Sequence, residues 1–180
     1  MIVIINGPSG SGKTTLVDHF TSLGLCRLIT TTTRPPREGE RNGDSYYFVT
    51  KEEFFAQERL EESFYAGNWY GLTVKEAEEK LAGDVSAVAT LDINGVKSLK
   101  AIYGDRILVI YIRVSRRKLK QRMHRRGDSI QEIRRRLDHH REQAEDKNEV
   151  YADYVIRNMG SVSRFKKAGR MILEKEGLLP

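Results

Sequence analysis

A glycine-rich stretch near the start of the chain has the residue types and spacing of a phosphate-binding loop. Residues 7–14 read Gly-Pro-Ser-Gly-Ser-Gly-Lys-Thr, which fits the pattern G-x-x-x-x-G-K-[ST]. Glycine permits the backbone conformations in which successive N–H groups point at a chain of phosphates. In such a loop the lysine reaches the β and γ phosphates, and the threonine hydroxyl helps to hold Mg²⁺. We therefore predict nucleoside triphosphate binding by Gly7, Pro8, Ser9, Gly10, Ser11, Gly12, Lys13 and Thr14.

The segments on either side of this loop are those that it requires. Residues 1–5 form a short apolar run typical of a buried parallel strand, and residues 15–20 open a helical pattern. The free N–H groups and the dipole of a helix that begins near Lys13 add positive potential at the loop. The alternative is a glycine-rich turn before a helix that binds no ligand. The order of strand, loop and helix favours phosphate binding.

Composition limits the class of protein. With 180 residues the chain can form one sizeable core but is short for two independent domains. The formal net charge of +6 favours anionic partners, either nucleotides or nucleic acid. The single cysteine, Cys26, excludes an internal disulfide and fits a reducing compartment. The opening apolar run is too short for a membrane span or a signal peptide, so we expect a cytoplasmic protein.

Strand-like and helix-like segments alternate along the chain. This alternation predicts an α/β fold with a mainly parallel sheet and helices on both faces. Predicted strands after the first lie at 25–29, 85–92, 106–112 and 155–156, and predicted core helices lie at 93–103 and 161–176. The strand at 85–92 ends in an acidic residue, Asp92, as the metal-side strand of a phosphate-loop enzyme would.

The alternation is interrupted between residues 30 and 81. Residues 30–44 contain two prolines, two glycines and no apolar side chain, which predicts a loop. Residues 46–72 have the pattern of short antiparallel strands around a small helix that a capping box at Thr50–Glu53 opens. A second box at Thr73–Glu76 opens the helix that returns to the core. We interpret residues 30–81 as an inserted subdomain.

A strongly basic region follows the strand at 106–112. From 113 to 126, eight of fourteen side chains are Arg or Lys, and three further arginines occupy 134–136. Gly127 and a capping box at Ser129–Glu132 divide the region into two helices joined by a hinge. Apolar residues give the second helix a core-facing stripe at Ile130, Ile133, Leu137 and Ala144. Such a hairpin could close as a lid with arginines facing inward; the alternative is a solvated helix face.

Five segments, taken in order, resemble guanylate kinase. They are the phosphate loop, the Thr-Thr-Arg-Pro-Pro-Arg-x-Gly-Glu-x-Asn-Gly loop, the Gly-Asn-Trp-Tyr-Gly turn, the Asp-Ile-Asn-Gly-Val-Lys-Ser segment and the arginine-rich hairpin. The match runs from residue 2 to residue 158, and the second and third segments are more specific to this family than the phosphate loop. The resemblance implies a single domain across 1–180. Its parts would be a three-layer P-loop kinase core at 1–29, 82–123 and 138–180, a mixed α/β acceptor-binding insert at 30–81 and a helical lid at 124–137.

The same resemblance implies an activity and a set of site residues. The γ-phosphoryl of ATP, bound with Mg²⁺, would pass to a nucleoside monophosphate, GMP or dGMP. The implied acceptor-binding positions are Thr30, Arg34, Arg37, Glu40, Tyr46, Glu61, Tyr70, Leu72 and Asp92. The positions implied in catalysis are Lys13, Arg34, Arg122, Arg126 and Arg136, with Asn158 as an adenine contact and Thr14 and Asp92 as metal ligands.

The chemistry of these residue types agrees with the implied roles. Arg34 and Arg37 fall on arginines that grip the acceptor phosphate, a task that suits a planar fork of donors. Glu61 falls on the carboxylate that accepts hydrogen bonds from the N1–H and N2–H₂ groups of guanine. Arg122, Arg126 and Arg136 match lid arginines around the transferring phosphoryl group.

Two positions depart from the family pattern. Leu72 stands where the family presents a serine hydroxyl to guanine, and Thr73 carries the nearest hydroxyl. Thr90 stands where an acidic residue is usual, two positions before Asp92. Loss of one hydrogen bond to a base costs about 1–3 kcal/mol of discrimination. Guanine preference could therefore be relaxed, or the acceptor could be a different nucleotide.

Other classes of function remain open at this point. A P-loop kinase for another nucleotide or for a phosphorylated sugar has the same loop. A non-catalytic guanylate-kinase-like module that binds phosphopeptides has no use for ATP, which the intact Gly12-Lys13-Thr14 argues against. Nucleic-acid binding is disfavoured because the basic residues cluster at the lid without interleaved aromatic residues. We expect no membrane partner, and either a monomer or a homodimer.

Overall fold

The computed structural model describes residues 1–65, 67–82, 85–142 and 145–179. The strands are β1 (Ile2–Asn6), β2 (Cys26–Arg27), β3 (Thr31–Thr32), β4 (Tyr47–Phe48), β5 (Arg59–Tyr65), β6 (Asn68–Thr73), β7 (Ala87–Thr90), β8 (Ile107–Arg113) and β9 (Tyr154–Arg157). The helices are α1 (Lys13–Ser22), α2 (Lys51–Ala56), α3 (Val74–Leu81), α4 (Ile93–Tyr103), α5 (Arg116–Arg125), α6 (Ile130–Glu142) and α7 (Val162–Lys175), with 3₁₀ turns at Gly104–Arg106 and Glu145–Tyr151. Within the described residues, no helix is long and apolar enough to cross a bilayer.

The larger sheet is entirely parallel and has the strand order β2-β7-β1-β8-β9. All five residues of β1 are buried, as expected for a central strand covered on both faces. In the register, Ile4 lies between Ala89 on β7 and Val109 on β8. The carboxyl end of β1, where the phosphate loop begins, therefore lies inside the sheet with a neighbouring strand on each side.

Alternating residues of β1 enter two separate apolar clusters, which gives the core three layers. Val3 and Ile5 pack with side chains of α1, α5, α6 and α7, whereas Ile2 and Ile4 pack with side chains of α3 and α4. The predicted three-layer α/β core with a mainly parallel sheet is confirmed. This packing fixes the positions of α1 and α4, the two helices that begin beside the candidate site.

The smaller sheet belongs to the inserted segment and has the order β4-β3-β6-β5. The antiparallel strands predicted within 46–72 are present as the β5–β6 pair. In addition, β3 pairs parallel with β4 and antiparallel with β6, which makes the sheet mixed. The prediction of a loop throughout 30–44 is wrong, because Thr31 and Thr32 are buried and form β3. Backbone pairing with strands distant in sequence stabilises these two β-branched residues, although no apolar side chain is present to indicate a strand.

The capping boxes of the insert differ in their details. The predicted box at α2 is confirmed, since Glu53 N donates to Thr50 Oγ1 at 3.1 Å and Thr50 N donates to Glu53 Oε2 at 2.8 Å. At α3, Thr73 Oγ1 accepts from Glu76 N at 3.2 Å, but Glu76 Oε1 accepts from Ile29 N at 2.7 Å. The reciprocal box predicted there is therefore wrong. The buried Glu76 carboxylate instead connects the insert to the core.

Helices α5 and α6 form the predicted helical hairpin. The box at its turn is confirmed, because Ser129 N donates to Glu132 Oε2 at 3.1 Å and Glu132 N donates to Ser129 Oγ at 3.2 Å. Ile133 and Leu137 are buried against the core, as predicted. The hairpin therefore has one face anchored in the same apolar cluster as α1.

Several predicted boundaries differ from the structure. The strand predicted at 25–29 is limited to β2 because it is an edge strand that pairs over two residues with β7, and the strand predicted at 85–92 is limited to β7. Ile130 was predicted to face the core but is 65% exposed, because it is the first residue of α6 beside the hairpin turn. Ala144, also predicted to face the core, lies outside the described residues.

Candidate active site

The phosphate loop joins the carboxyl end of β1 to the start of α1. Gly7, Gly10 and Gly12 all have positive φ, at +146°, +81° and +105°. Residues with a side chain rarely adopt these conformations. At Gly12 the space is closed as well, since a Cβ there would lie 2.7 Å from Asn158 Nδ2. The backbone geometry of the loop therefore requires these three glycines.

Lys13 is the first residue of α1, and its side chain lies against the loop. Its Nζ donates to Gly7 O at 2.6 Å and to Pro8 O at 3.0 Å. Thr14 is exposed in the first turn of the same helix. The ammonium group and the exposed hydroxyl thus adjoin the N-terminal end of α1, where the helix dipole also favours anions.

Arg122 and Asn158 brace the phosphate loop. Arg122 Nη1 donates to Ser11 O at 3.1 Å, and Arg122 Nη2 donates to Asn158 O at 3.1 Å. Asn158 Nδ2 donates to the same Ser11 O at 2.8 Å. Burial lowers the pKa of the Arg122 guanidinium. Both side chains, predicted to contact the transferring phosphoryl group and adenine, here contact the loop itself.

The other two predicted lid arginines differ in their contacts. Arg136 on α6 is buried, and its Nη1 donates to Ser9 Oγ at 2.8 Å, which links the α5–α6 hairpin to the phosphate loop. Arg126, which follows α5, forms a two-point contact with the Asp128 carboxylate. Sequence reasoning did not single out Asp128. The sequence does contain a signal for it, because Asp128 is an acidic residue in the turn between two arginine-rich segments.

Glu40 organises the two arginines of the proline-rich loop. Arg34 Nη2 donates to Glu40 Oε1 at 2.9 Å, and the Arg37 backbone N donates to Glu40 Oε2 at 2.7 Å. Burial alone would raise the pKa of Glu40, but hydrogen bonds from Arg34 and from the Arg37 backbone hold it below its ordinary value. Glu40 is therefore ionised at neutral pH and keeps both arginines in one compact loop.

Two tyrosines of the insert adjoin this loop. The rings of Tyr46 and Tyr70 meet edge to face with centroids 6.0 Å apart, and the Arg34 guanidinium carbon lies 5.4 Å from the Tyr46 centroid. Burial, together with the nearby Tyr70, raises the pKa of Tyr46. Thr30 is buried, and its carbonyl accepts from Tyr47 N at 3.0 Å. Tyr46 and Tyr70 therefore form one polar and aromatic cluster with Arg34, and a backbone hydrogen bond connects Thr30 to the adjoining strand β4.

Glu61 on β5 is a buried carboxyl group at the junction of insert and core. Glu61 is 6% exposed, and a Cβ built on Gly95 of α4 would lie 2.8 Å from Glu61 Oε2. Burial, followed by the negative charge of Asp92, raises the pKa of Glu61 to about 8. At pH 7 this carboxyl group is mostly protonated in the ligand-free protein. A ligand that donates hydrogen bonds to it would favour its ionised form.

Leu72 lies directly opposite Glu61 in the β5–β6 register. Its side chain is fully buried and belongs to the apolar cluster that contains Ile2 and Ile4. The Thr73 hydroxyl accepts from the backbone at the start of α3. Leu72 therefore contributes packing to the core, while the nearest hydroxyl is engaged in capping a helix.

Asp92 follows β7 and caps α4. Its Oδ1 accepts from Asn94 N at 2.9 Å and from Gly95 N at 3.0 Å. Among the described residues, no group of three or more His, Cys, Asp or Glu side chains could hold a metal ion. An exposed hydroxyl at Thr14 and one carboxylate at Asp92 still fit Mg²⁺, which commonly takes one or two protein oxygens and completes its coordination with waters and phosphates.

Positive charges of the proline-rich loop and of the α5–α6 hairpin act on Arg37. Burial, followed by the charges of Arg136, Arg34 and Arg126, lowers the pKa of its guanidinium. Because Arg136 also contacts Ser9, this cluster lies beside the phosphate loop. A concentration of like charges at one place favours a ligand with several negative charges.

Comparison with known proteins agrees with this geometry. The family model for guanylate kinase matches residues 1–174. A guanylate kinase from Synechococcus sp. (strain JA-3-3Ab) is 37% identical over 87% of this chain and 75% of its own length. A guanylate kinase from Wolbachia sp. subsp. Brugia malayi (strain TRS) is 32% identical over 99% of this chain and 94% of its own length.

Solved structures show the same fold. The crystal structure of guanylate kinase from Anaplasma phagocytophilum has a TM-score of 0.73 and 24% identity, with 98% of this chain and 85% of that chain covered. Shikimate kinase from Acinetobacter baumannii has a TM-score of 0.53 and 16% identity, and the match covers 97% of this chain and 91% of that chain. The fold and the glycine loop define a P-loop kinase. Within that class, the chain belongs to the guanylate kinase family.

Proposed function

We propose that this protein transfers the γ-phosphoryl group of ATP to GMP, giving ADP and GDP, and that dGMP serves as a second acceptor. The observation that carries the proposal is the position of Arg136. It donates to Ser9 of the phosphate loop, and its charge acts on Arg37 of the insert. A donor phosphate on the loop and an acceptor phosphate on the insert would therefore meet at one group of arginines.

On the donor side, the phosphate loop cradles the triphosphate with its backbone N–H groups. Lys13 would leave the carbonyls of Gly7 and Pro8 to bind the β and γ phosphates, because phosphate oxygens carry more negative charge than carbonyl oxygens. Asn158, whose amide donates to Ser11 O of the loop, is the proposed adenine contact.

On the acceptor side, Arg34 and Arg37 bind the monophosphate. Glu40 fixes both arginines in one loop, which reduces the entropy that they lose when the phosphate binds. The hydroxyl groups of Tyr46 and Tyr70 are further donors beside Arg34. Thr30, whose carbonyl accepts from Tyr47 N, would supply a third hydroxyl.

Guanine recognition rests on Glu61. Its carboxylate can accept two hydrogen bonds from guanine N1–H and N2–H₂, whereas adenine presents a bare N1 acceptor at the same edge. Binding converts the protonated Glu61 of the free protein into the ionised form. The Leu72 side chain packs in the apolar core and offers no hydroxyl to guanine, so base selection rests on Glu61.

Phosphoryl transfer needs no side-chain nucleophile. An oxygen of the acceptor phosphate attacks the γ-phosphorus in line, and the bond from this phosphorus to the β–γ bridging oxygen breaks, so that ADP leaves with the electron pair. Lys13, Arg34, Arg122, Arg126 and Arg136 supply the positive charge that the transferring group requires. Their contribution is positioning and charge neutralisation.

Mg²⁺ is the proposed metal cofactor, with Thr14 and Asp92 as its protein contacts. When bound, it neutralises charge on the β and γ phosphates of ATP. The exposed Thr14 hydroxyl and the Asp92 carboxylate are oxygen groups of the kind that Mg²⁺ accepts. We further propose a cytoplasmic location, which the single free cysteine Cys26 supports, and a monomeric or homodimeric state without nucleic-acid or membrane partners.

Separation of the reaction products by anion-exchange chromatography tests the proposal. Wild-type protein with ATP, Mg²⁺ and GMP should form ADP and GDP in equal amounts. Lys13→Ala should fold normally by circular dichroism but turn over at least about 1000-fold more slowly, because its charge acts in the transition state. Absence of GDP with the wild-type protein, or near-normal turnover by folded Lys13→Ala, would overturn the proposal.

A further inference from the structure

The lid contains a buried carboxylate that the proposed roles above leave without a function. Asp128 lies in the turn between α5 and α6, and its side chain is 7% exposed. Its backbone N donates to Met123 O at 3.1 Å, which ties it to the last turn of α5. Burial of a carboxylate is costly unless positive groups surround it. The groups around Asp128 are the lid arginines.

Asp128 fixes the orientation of Arg126. Arg126 Nε donates to Asp128 Oδ1 at 3.0 Å, and Arg126 Nη2 contacts Asp128 Oδ2. Two contacts between a planar guanidinium and a carboxylate define the plane of the arginine group as well as its distance. The Arg126 side chain is 39% exposed, so without this contact it would be free to turn into solvent.

The same carboxylate faces Arg136 on the other lid helix. Asp128 Oδ2 lies 3.9 Å from Arg136 Nε, which is ion-pair distance but too long for a hydrogen bond. Arg136 Nη1 meanwhile donates to Ser9 Oγ. Within the described part of the chain, the buried Arg136 Nε has no hydrogen-bond acceptor. Arg136 thus lies between the turn and the phosphate loop, and its Nε–H can still donate a hydrogen bond.

Charge balance gives Asp128 a role parallel to that of Glu40. Glu40 pairs with Arg34 and Arg37, and Asp128 lies beside Arg126 and Arg136. Burial would raise the pKa of Asp128, but the hydrogen bond and charge of Arg126, with the charges of Arg136 and Arg37, hold it below its ordinary value. The carboxylate is therefore ionised at neutral pH and offsets the repulsion among the arginines.

We propose that Asp128 is a positioning residue for phosphoryl transfer: its carboxylate holds Arg126 and Arg136, one arginine from each arm of the lid, in the orientation that serves the transferring phosphoryl group. This inference rests on the proposed kinase function. Asp128 acts through the two arginines and does not itself contact substrate. Without it both arginines remain, but repulsion separates them at the moment when the transition state needs both.

Steady-state kinetics of Asp128→Asn and Asp128→Glu, with ATP and GMP varied separately, test this role. Asp128→Asn should lower kcat about 10- to 100-fold, as expected for misplaced catalytic groups, and leave both KM values within about threefold. Asp128→Glu keeps the charge and should restore kcat to within about fivefold of wild type. Asp138→Asn is the matched control, since Asp138 lies on α6, is half exposed and pairs only loosely with Arg116 and Arg141, each at 3.7 Å.

A double-mutant cycle with Arg126→Ala separates positioning from a general structural effect. Because Arg126 makes both direct contacts with Asp128, whereas Arg136 lies 3.9 Å away, adding Asp128→Asn to Arg126→Ala should lower kcat much less than it does in the wild-type background. Additive losses, an equal loss in Asp138→Asn, or Asp128→Glu no better than Asp128→Asn would overturn the inference. So would an unchanged kcat with lower KM values, because Asp128 would then only compete with phosphate. Loss of GDP formation in wild type and Asp138→Asn alike would instead refute the kinase function.

Discussion

The carboxyl group of Glu61 occupies the space that a side chain at Gly95 would fill. A Cβ at residue 95 would lie 2.8 Å from Glu61 Oε2 and 3.2 Å from its Cδ. Glu61 comes from the insert, whereas Gly95 belongs to the first turn of α4 in the core. This close approach therefore sets the position of the proposed base-binding group relative to the phosphate loop.

Gly95→Ala should impair use of GMP selectively. The new methyl group displaces the Glu61 carboxylate, so kcat/KM for GMP should fall about 10- to 100-fold while KM for ATP changes little. Alanine favours a helix more than glycine does, so helix propensity gives no reason for instability. Gly160→Ala is the control, because its Cβ would meet only Arg164 Cδ at 3.7 Å. An equal effect of both variants on ATP and GMP would contradict the spatial role of Gly95.

The raised pKa of Glu61 predicts a dependence of GMP use on pH. Because this pKa is about 8 in the free protein, Glu61 must release a proton before it can accept two hydrogen bonds from guanine. The kcat/KM for GMP should therefore rise with pH between 6 and 8, approaching about tenfold per unit well below pH 8. Glu61→Gln should abolish this Glu61-dependent rise. The same rise in Glu61→Gln would assign the titration to another group, such as the substrate phosphate.

The free energy of unfolding should depend on pH in the opposite direction and fall as pH rises. Burial raises the folded-state pKa of Glu61 above its ordinary value of 4.5, so the folded protein holds a proton that the unfolded chain has released. Between about pH 4.5 and pH 8 this group makes the free energy of unfolding decrease as pH rises. Urea titrations across this range should show a weaker decline for Glu61→Gln than for wild type.

Arg37→Ala should separate acceptor binding from ATP binding. Arg37 lies on the insert among arginines that converge beside the loop, so its loss should raise KM for GMP and lower kcat/KM, with much less effect on ATP binding. Arg41→Ala is a matched control, since Arg41 is exposed in the same loop. An equal loss of ATP affinity in Arg37→Ala would place this residue on the donor side.

Leu72→Ser should destabilise the protein instead of improving GMP use. The Leu72 side chain is fully buried in the apolar core, and its truncation should cost about 2–5 kcal/mol. The kcat/KM for GMP of the folded variant should stay within about threefold of wild type, because the leucine that is replaced packs in the apolar cluster with Ile2 and Ile4. Thermal melts and kinetics below the melting range measure the two effects. A gain of tenfold or more in kcat/KM would show that residue 72 reaches guanine.

Local sequence signals predicted the parts of the site that depend on local backbone. The glycines of the phosphate loop, the capping boxes at Thr50 and Ser129 and the apolar run of β1 each specify their structure within a few residues. The order of strands and helices then predicted the parallel core. The resemblance to guanylate kinase covered the remaining site residues.

Contacts between distant segments could not be predicted in this way. Thr31 and Thr32 form a strand because β4 and β6 flank them, and Glu76 leaves its capping box because Ile29 N is a buried donor in need of an acceptor. The burial of Leu72 depends on the register in which β6 pairs with β5, and the sequence does not specify that register. The role of Asp128 depends on Arg126, which follows α5, and on Arg136 of α6, which folding brings together.

The rate of ADP formation from ATP with six acceptors, measured under identical conditions, tests the central claim most directly. The acceptors are GMP, dGMP, IMP, AMP, CMP and UMP. Recognition by Glu61 predicts the highest kcat/KM for GMP and dGMP, and a loss of about 5- to 150-fold for IMP, which lacks one of the two donors. AMP, CMP and UMP should give little or no turnover. Turnover of AMP or a pyrimidine nucleotide equal to that of GMP would contradict the proposed selection of guanine.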